Sequence, residues 1–424
     1  MPERTEKAAE NRAGAAGGVG GPGRRERLLR LYALGLFLVV GVVAGNHFLE
    51  IAQSSAYDIH SDDVLWIERF REAPLPASVE RDLELREEII PPRGARPREI
   101  RSYWHGIDHP SLERWIYFSL LGLTGRGAGE ELPEESWDYS KSQEWNVRLG
   151  HVAPEQARRF VRRVNAIFMV AAALLVYVGV ARAATPAAGL VAGVFFTAHG
   201  ATVEVCWSLG PDPLLWMLLA AALAAWVYLG ATRKGAIAVG VLTGLAASAK
   251  LNGAFAVVAF CGWLLLKREW RLALLSGALA FGLFLVLNPL IWSKGLLAPP
   301  RVLFDMLRWR ARRAALYAEH WPAFSEAPRW KVIFFLLGNW WPFAALLFVS
   351  RRLRRLGPAC FWAAGLAALH LLTVRAPVPR YLFPIQATVG IGAVAAFWPR
   401  SFPGIRRALE SAWRRLWNIT GRGG

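Results

Sequence analysis

The chain has 424 residues, of which 54% are hydrophobic, with 20 tryptophans and a formal net charge of +18. Few soluble domains have this composition, so it indicates an integral membrane protein. No motif that reads DNA or RNA accompanies the charge, which argues against nucleic acid as a partner and fits arginines that fix topology and contact anionic lipid. The three cysteines, Cys206, Cys261 and Cys360, lack the spacing of zinc ligands or of a disulfide framework.

The chain begins with a polar segment, a first apolar span and a long polar loop. Residues 1–27 are rich in Gly, Ala and charge and are predicted to be a disordered cytoplasmic N-terminus. Residues 28–48 would reach about 31 Å as a helix, and they lack a convincing cleavage site, so they are predicted to be a retained span. Residues 49–160 then form a loop of roughly 110 residues, and loops of that length tend to be functional.

A series of apolar segments follows the loop, and with residues 28–48 it predicts an all-α polytopic protein of about ten transmembrane helices. The predicted segments are 161–181, 187–205, 213–230, 235–249, 253–266, 272–292, 332–349, 358–374 and 381–398. Segments 235–249 and 253–266 are short and are expected to form a tight hairpin. A basic cytoplasmic tail, 399–424, ends the chain, so the membrane domain is 28–398 with the loop 49–160 inside it.

Charge predicts which side each loop faces. Arginines at 24, 25, 27 and 30 precede the first span and indicate a cytoplasmic N-terminus. Alternation then places the short basic turns at Arg182, Arg233-Lys234 and Lys267 in the cytoplasm. The first loop and most other ionisable groups fall on the opposite face, which is typical of a site. The predicted location is the inner or plasma membrane, multi-pass, with both termini cytoplasmic and the site outside.

Two acid-bearing motifs lie in the first loop. Asp62-Asp63 follows the first span and could act as a general base with a partner, or bind a divalent ion, or simply cap a helix. Asp108-His109 precedes Pro110 and an apolar run, where these side chains could meet a phosphate or hydroxyl, or form an ordinary cap.

Other candidates lie at the ends of later spans. Asp212 precedes a proline, which also suits a helix start. Lys250 stands between two apolar arms, where it could snorkel or bind phosphate. Arg375 precedes the last span, and Arg380-Tyr381 begins it, where an interfacial anchor pair is the alternative.

The order of these motifs resembles that of the GT-C superfamily of polyprenyl-phosphate-sugar-dependent glycosyltransferases. It is most similar to the branch that holds protein O-mannosyltransferases and the lipid A aminoarabinose transferase. The matching motifs are Asp62-Asp63 for an Asp-Glu pair, His109-Pro110-Ser111-Leu112 for His/Lys-Pro-Pro-Leu, Asp212-Pro213, Gly244-Leu245-Ala246 with Lys250, and Arg380-Tyr381-Leu382-Phe383-Pro384.

The resemblance implies a role for each matching residue. Asp62 would take the proton from an acceptor hydroxyl or amine, with Asp63 beside it. Asp108 and His109 would line the acceptor or phosphate side of the loop. Lys250 and Arg380 would steady the departing polyprenyl phosphate. One displacement inverts the anomeric centre, so one base suffices and no cofactor is required, although a divalent cation is compatible with the chemistry.

Three features depart from the family pattern. Asp63 stands where the family has Glu, Ser111 replaces the second proline of its motif, and residues 126–156 resemble an insertion with Trp137 and Trp145. These tryptophans could stack on a sugar or lie on lipid headgroups.

The predicted function is therefore a membrane glycosyltransferase that uses a polyprenyl-phosphate-sugar donor and an acceptor of unspecified class (protein, lipid or polysaccharide). Two alternatives stay open. One is a transporter or flippase for lipid-linked glycans, which would need a polar path and internal repeats. The other is a catalytically silent GT-C relative that binds lipid.

Overall fold

A computed structural model describes residues 22–54, 67, 70, 111–125 and 141–288. Helices dominate these residues, and they contain no β-strand. In chain order the helices are α1 Pro22–Gln53, α2 Leu112–Thr124, α3 Gln143–Arg148, α4 Glu155–Ala183, α5 Pro186–Ala198, α6 Gly200–Trp207, α7 Asp212–Leu229, α8 Arg233–Ala249, α9 Ala254–Leu266 and α10 Trp270–Leu287. A 3₁₀ turn, Leu251–Gly253, joins α8 to α9.

Four stretches of these helices are long and apolar enough to cross a membrane: Glu26–Gln53, Glu155–Ala183, Asp212–Leu229 and Trp270–Leu287. The prediction of an all-α polytopic membrane protein is thereby confirmed. The spans predicted at 332–349, 358–374 and 381–398 lie outside the described residues, so the total of about ten stays a prediction.

The first helix begins earlier than predicted. It starts at Pro22, so it includes the last residues of the segment predicted to be disordered. Proline suits the first turn of a helix, where its missing N–H is not needed. The exposed pair Glu26–Arg30, with 2.6 Å between Oε1 and Nη2, adds a contact one turn apart.

The segment predicted as one span at 187–205 is two helices. His199 has an extended backbone (φ −73°, ψ 131°) and separates α5 from α6. The hydroxyl of Thr197 donates to the carbonyl of Gly193 (2.9 Å), a bond that often bends helices, and the amide of Thr202 donates to the carbonyl of His199 (2.8 Å), which starts α6. Hydropathy does not reveal such a break, because both pieces are apolar.

Small residues let α8 and α10 approach each other closely. A Cβ on Gly240 would lie 2.6 Å from the carbonyl oxygen of Ser276, and one on Gly244 would lie 2.8 Å from Cα and O of Ala280. Spacings of four on both helices show that they run parallel, as small-xxx-small packing in membranes allows. The closeness of α8 to α10 brings their C-terminal ends together.

The helix directions sort the bundle into two ends. At one end, Tyr177 near the end of α4 donates to the carbonyl of Ala33 near the start of α1 (2.6 Å), and Arg182 lies over the ring of Tyr228 (5.6 Å). The basic turns that are predicted to lie on one side of the membrane follow α4, α7 and α9, so they lie at this end of the bundle. It is called the basic end. The opposite end contains the start of α7 and the ends of α8 and α10, and it is called the polar end.

Candidate functional site

Asp212 and Lys250 form a buried ion pair at the polar end. The Nζ atom of Lys250 lies 2.6 Å from Oδ1 of Asp212, and both side chains are about nine-tenths buried, at 9% and 10% exposure. Asp212 is the first residue of α7, and Lys250 follows the last residue of α8. A carboxylate at a helix N-terminus and an ammonium at a C-terminus each suit the helix dipole. The two predicted site residues are therefore in direct contact.

The turn after Lys250 explains why its side chain points inward. Lys250 has an extended backbone (φ −152°, ψ 136°), and its carbonyl accepts from the amide of Gly253 (2.8 Å). The Leu251–Gly253 turn folds back on α8 so tightly that a Cβ on Gly253 would lie 2.3 Å from the carbonyl carbon of Ala246. Counted over its backbone and side chain together, Lys250 is 7% exposed. It does not reach toward bulk solvent as a snorkelling lysine would.

Asn288 connects this pair to the first loop. Its Oδ1 accepts from the backbone N–H of Ser111 (2.7 Å), while its Nδ2 lies 2.6 Å from the carbonyl oxygen of Phe284 and 3.4 Å from Oγ of Ser248. Ser248 is two residues before Lys250. Hydrogen bonds thus link Ser111 of the loop motif to Ser248, which is close in sequence to Lys250 of the ion pair.

A second set of buried hydrogen bonds holds the backbone segment that leads into Asp212. The hydroxyl of Tyr117 donates to Oδ1 of Asn165, whose Nδ2 donates to the carbonyl of Ser208 (2.6 Å). Nε of Arg162 donates to the carbonyl of Trp207 (3.1 Å). These bonds from α2 and α4 hold the connection between α6 and α7. They also give its backbone carbonyls the donors that buried carbonyls require.

The hydroxyl of Tyr117 is a buried hydrogen-bond donor. A tyrosine hydroxyl is protonated at physiological pH and can donate to Asn165. Desolvation, followed by the nearby negative charge of Glu113, raises the pKa of Tyr117 well above its usual value, which favours the protonated form further. Its ring also stacks on Phe70, with centroids 4.2 Å apart.

The first loop is anchored near Asp212 through apolar contacts. Ile67 and Phe70 are fully buried in a cluster with Tyr117 and Leu209, which lies three residues before Asp212. The remaining predicted site residues lie outside the described residues: Asp62, Asp63, Asp108, His109, Arg375, Arg380 and Tyr381. The same holds for Trp137 of the insertion, whereas Trp145 is on α3 and packs edge-on against His151 (5.2 Å).

Sequence analysis missed the uncharged members of this arrangement. Asn165, Ser248 and Asn288 were not singled out, and neither was Arg162. The available signal was a polar side chain within or at the end of an apolar run, since such residues often hydrogen-bond between membrane helices. Within 22–54, 111–125 and 141–288, no group of three His, Cys, Asp or Glu is placed to hold a metal ion.

One protein family matches the part of the chain that contains the ion pair. The model of the dolichyl-phosphate-mannose-protein mannosyltransferase family matches residues 144–292, about a third of the chain. The match confirms the resemblance drawn from the motifs and supports a membrane glycosyltransferase of the GT-C type. It includes Asp212, Lys250 and Asn288, but not the first-loop motifs. No curated protein matches the chain.

Proposed function

We propose that this chain, a GT-C-like protein of the mannosyltransferase type, transfers a sugar from a polyprenyl-phosphate donor to an acceptor on the extracytoplasmic side of the membrane. The observation that carries the proposal is the buried Asp212–Lys250 pair, which lies in the family-matched segment and is tied through Asn288 to Ser111 of the first loop. Buried charges at membrane depth usually mark a functional cavity.

The proposed reaction is a single displacement at the anomeric carbon. An acceptor oxygen or nitrogen forms the new bond to that carbon while the bond to the phosphate oxygen breaks. Polyprenyl phosphate leaves with the electron pair, and the acceptor proton passes to Asp62. Negative charge grows on the phosphate, so nearby cations stabilise the transition state more than the ground state.

In this proposal Lys250 and Arg380 are the cations that meet the phosphate. An ammonium group has three N–H donors, so Lys250 can bind Asp212 and a phosphate oxygen at the same time. Asp212 would then fix the direction of the ammonium before the donor arrives. That arrangement is preorganisation, which saves the cost of orienting a long flexible side chain in the transition state.

Covalent geometry limits how far the proposed base can lie from Ile67, which packs in the cluster before Asp212. Asp63 is four residues before Ile67, so its Cα lies within about 14 Å of the Ile67 Cα even if the chain is fully extended. Ile67 packs in the cluster that contains Leu209, three residues from Asp212.

The predicted sidedness is part of the proposal. The basic turns after α4, α7 and α9 lie at the end opposite Asp212 and Lys250. Under the positive-inside rule this basic end is cytoplasmic and the polar end extracytoplasmic. The donor class fits this location, because a sugar carried on a membrane lipid can be used at the outer face without a soluble nucleotide-sugar donor.

Replacement of Asp62 by Asn tests the proposed base. Loss of a general base typically lowers the rate by about 10²- to 10⁴-fold. Cells that lack the chain would be complemented with wild type, Asp62→Asn or the control Asp58→Asn, a nearby loop carboxylate. We expect Asp62→Asn to lose the transferred sugar in mass spectra of membrane lipids and glycoproteins while the control retains it. Unchanged product at equal expression would exclude Asp62 as the base.

The helix break at His199 favours a second candidate, a flippase for lipid-linked glycans. Discontinuous helices are common in transporters, where they line the substrate path. The two functions differ in a purified system. A flippase would move a fluorescent polyprenyl phosphate across vesicles and leave the sugar linkage intact, whereas the glycosyltransferase would cleave the linkage without that movement.

A further inference from the structure

Ser111 and Asn288 form a hydrogen bond between parts of the chain that are 177 residues apart. The backbone N–H of Ser111 lies 2.7 Å from Oδ1 of Asn288. Asn288 is 3% exposed, and Ser111 is half-buried at the start of α2. A buried amide carbonyl that met no donor would be costly, so this bond contributes to placing the start of α2.

The other contacts of Asn288 fix which way its carboxamide faces. Nδ2 donates to the carbonyl of Phe284 (2.6 Å), which completes the end of α10, and lies 3.4 Å from Oγ of Ser248. The Phe284 carbonyl can only accept and the Ser111 N–H can only donate, so the amino group faces Phe284 and the oxygen faces Ser111, while the Ser248 hydroxyl can accept from the amino group. A residue that only capped α10 would need the amino group alone. The oxygen directed at Ser111 is a separate feature.

Ser111 takes part through its backbone and not through its hydroxyl. Its side chain makes no capping hydrogen bond to α2. The motif that this segment resembles has proline at the same place, and proline has no N–H to donate. Serine at this position has a backbone N–H, and that N–H is the donor that Asn288 accepts.

We propose that Asn288 is a positioning residue that holds Ser111 and the start of α2 against the end of α8, near Lys250. It acts through the backbone of Ser111 and through Ser248, two residues from Lys250. Asp108 and His109 precede Ser111 in sequence, and their role in transfer rests on the proposed function. The hydrogen bond itself is independent of that function.

Hydrogen–deuterium exchange of the full-length protein in nanodiscs tests the bond without any activity. Asn288→Ala removes the acceptor, Ser111→Pro removes the donor, and Ser111→Ala keeps the donor. Loss of one hydrogen bond corresponds to an equilibrium change of about fivefold. We expect the amides of Leu112–Thr124 to exchange about fivefold faster in Asn288→Ala and Ser111→Pro, and at the wild-type rate in Ser111→Ala.

Two controls keep this test decisive if a variant is generally destabilised. Thr243→Ala removes a buried hydroxyl on α8 that donates within its own helix, to the carbonyls of Val239 (2.7 Å) and Gly240 (3.4 Å), so it should leave α2 unchanged. The double variant Ser111→Pro/Asn288→Ala should exchange no faster than either single variant, because both remove the same bond. Unchanged exchange in Asn288→Ala, or equal effects of Ser111→Ala and Ser111→Pro, would overturn the proposal.

The transfer assay separates this proposal from the proposed function. If the bond positions reacting groups, Asn288→Ala should lower kcat about tenfold with little change in KM, and Ser111→Ala should not. Normal kcat in Asn288→Ala would overturn the positioning role. If wild type transfers no sugar but the exchange results appear as expected, the proposed function fails and the Ser111–Asn288 bond stands.

Discussion

Charged residues lie at both ends of the helix bundle, but their surroundings differ. At the polar end, Lys250 is buried and meets Asp212 at 2.6 Å. At the basic end, Arg182 and Lys267 are exposed and lie over the aromatic rings of Tyr228 and Trp263, at 5.6 Å and 5.4 Å. A cation that only orients a protein in a membrane can stay hydrated beside an aromatic ring. A cation inside the bundle needs a specific partner, and that requirement ties Lys250 to one geometry.

The largest expected effect comes from breaking the ion pair. Lys250→Met leaves Asp212 buried without its cation, which typically costs about 3–5 kcal/mol of unfolding free energy. The matched variant at the basic end, Lys267→Met, removes an exposed cation and should cost under about 1 kcal/mol. Thermal unfolding in nanodiscs would measure both.

A double variant makes this contrast sharper. Asp212→Asn combined with Lys250→Met removes both charges and should recover much of the stability lost in Lys250→Met. Equal losses for Lys250→Met and Lys267→Met would show that the two ends do not differ energetically, and the comparison would fail.

A middle-sized effect is expected where α8 meets α10. Gly244→Ala puts a Cβ 2.8 Å from the backbone of Ala280, so the helices must separate, at a cost of about 1–3 kcal/mol. Gly282→Ala is the matched control, because no atom lies within 4 Å of its new Cβ, and alanine favours a helix by roughly 0.5–1 kcal/mol over glycine. The same unfolding assay should give opposite signs, and a stabilised Gly244→Ala would contradict the close packing.

The smallest effect is expected at the basic end. Arg182→Ala removes an exposed cation from the face of Tyr228, which is worth about 0.5–1 kcal/mol. Tyr228→Leu should cost a similar amount, and adding Arg182→Ala to it should cost little more. Unfolding midpoints of the three variants would check this coupling. A loss as large as that of Lys250→Met would place Arg182 among the buried, structure-determining charges.

The bundle architecture was largely predictable, whereas the contacts of the site were not. Runs of apolar residues identified α1, α4, α7 and α10 because hydropathy reports burial in lipid directly. Asp212 and Lys250 were identified individually by motif order and predicted sidedness. Their pairing was not predictable, because the separation of two helix ends depends on the contacts of Gly240, Gly244 and Gly253 with neighbouring backbones.

Two features were hidden from sequence reasoning for different physical reasons. The break at His199 has no hydropathy signal, since α5 and α6 are both apolar. Asn288 at the end of an apolar run looks like an ordinary helix stop. Only the structure shows that it also accepts a hydrogen bond from Ser111. The proposed base Asp62 stays a prediction.

The bond between Ser111 and Asn288 also sets an order on biogenesis. A ribosome delivers Ser111 to the membrane well before Asn288, which is 177 residues later. Throughout that interval the backbone amide of Ser111 lacks this acceptor, so the start of α2 gains this contact only after Asn288 has been synthesised. A nascent chain stalled before Asn288 should therefore expose the start of α2 to proteases more than the full-length chain does.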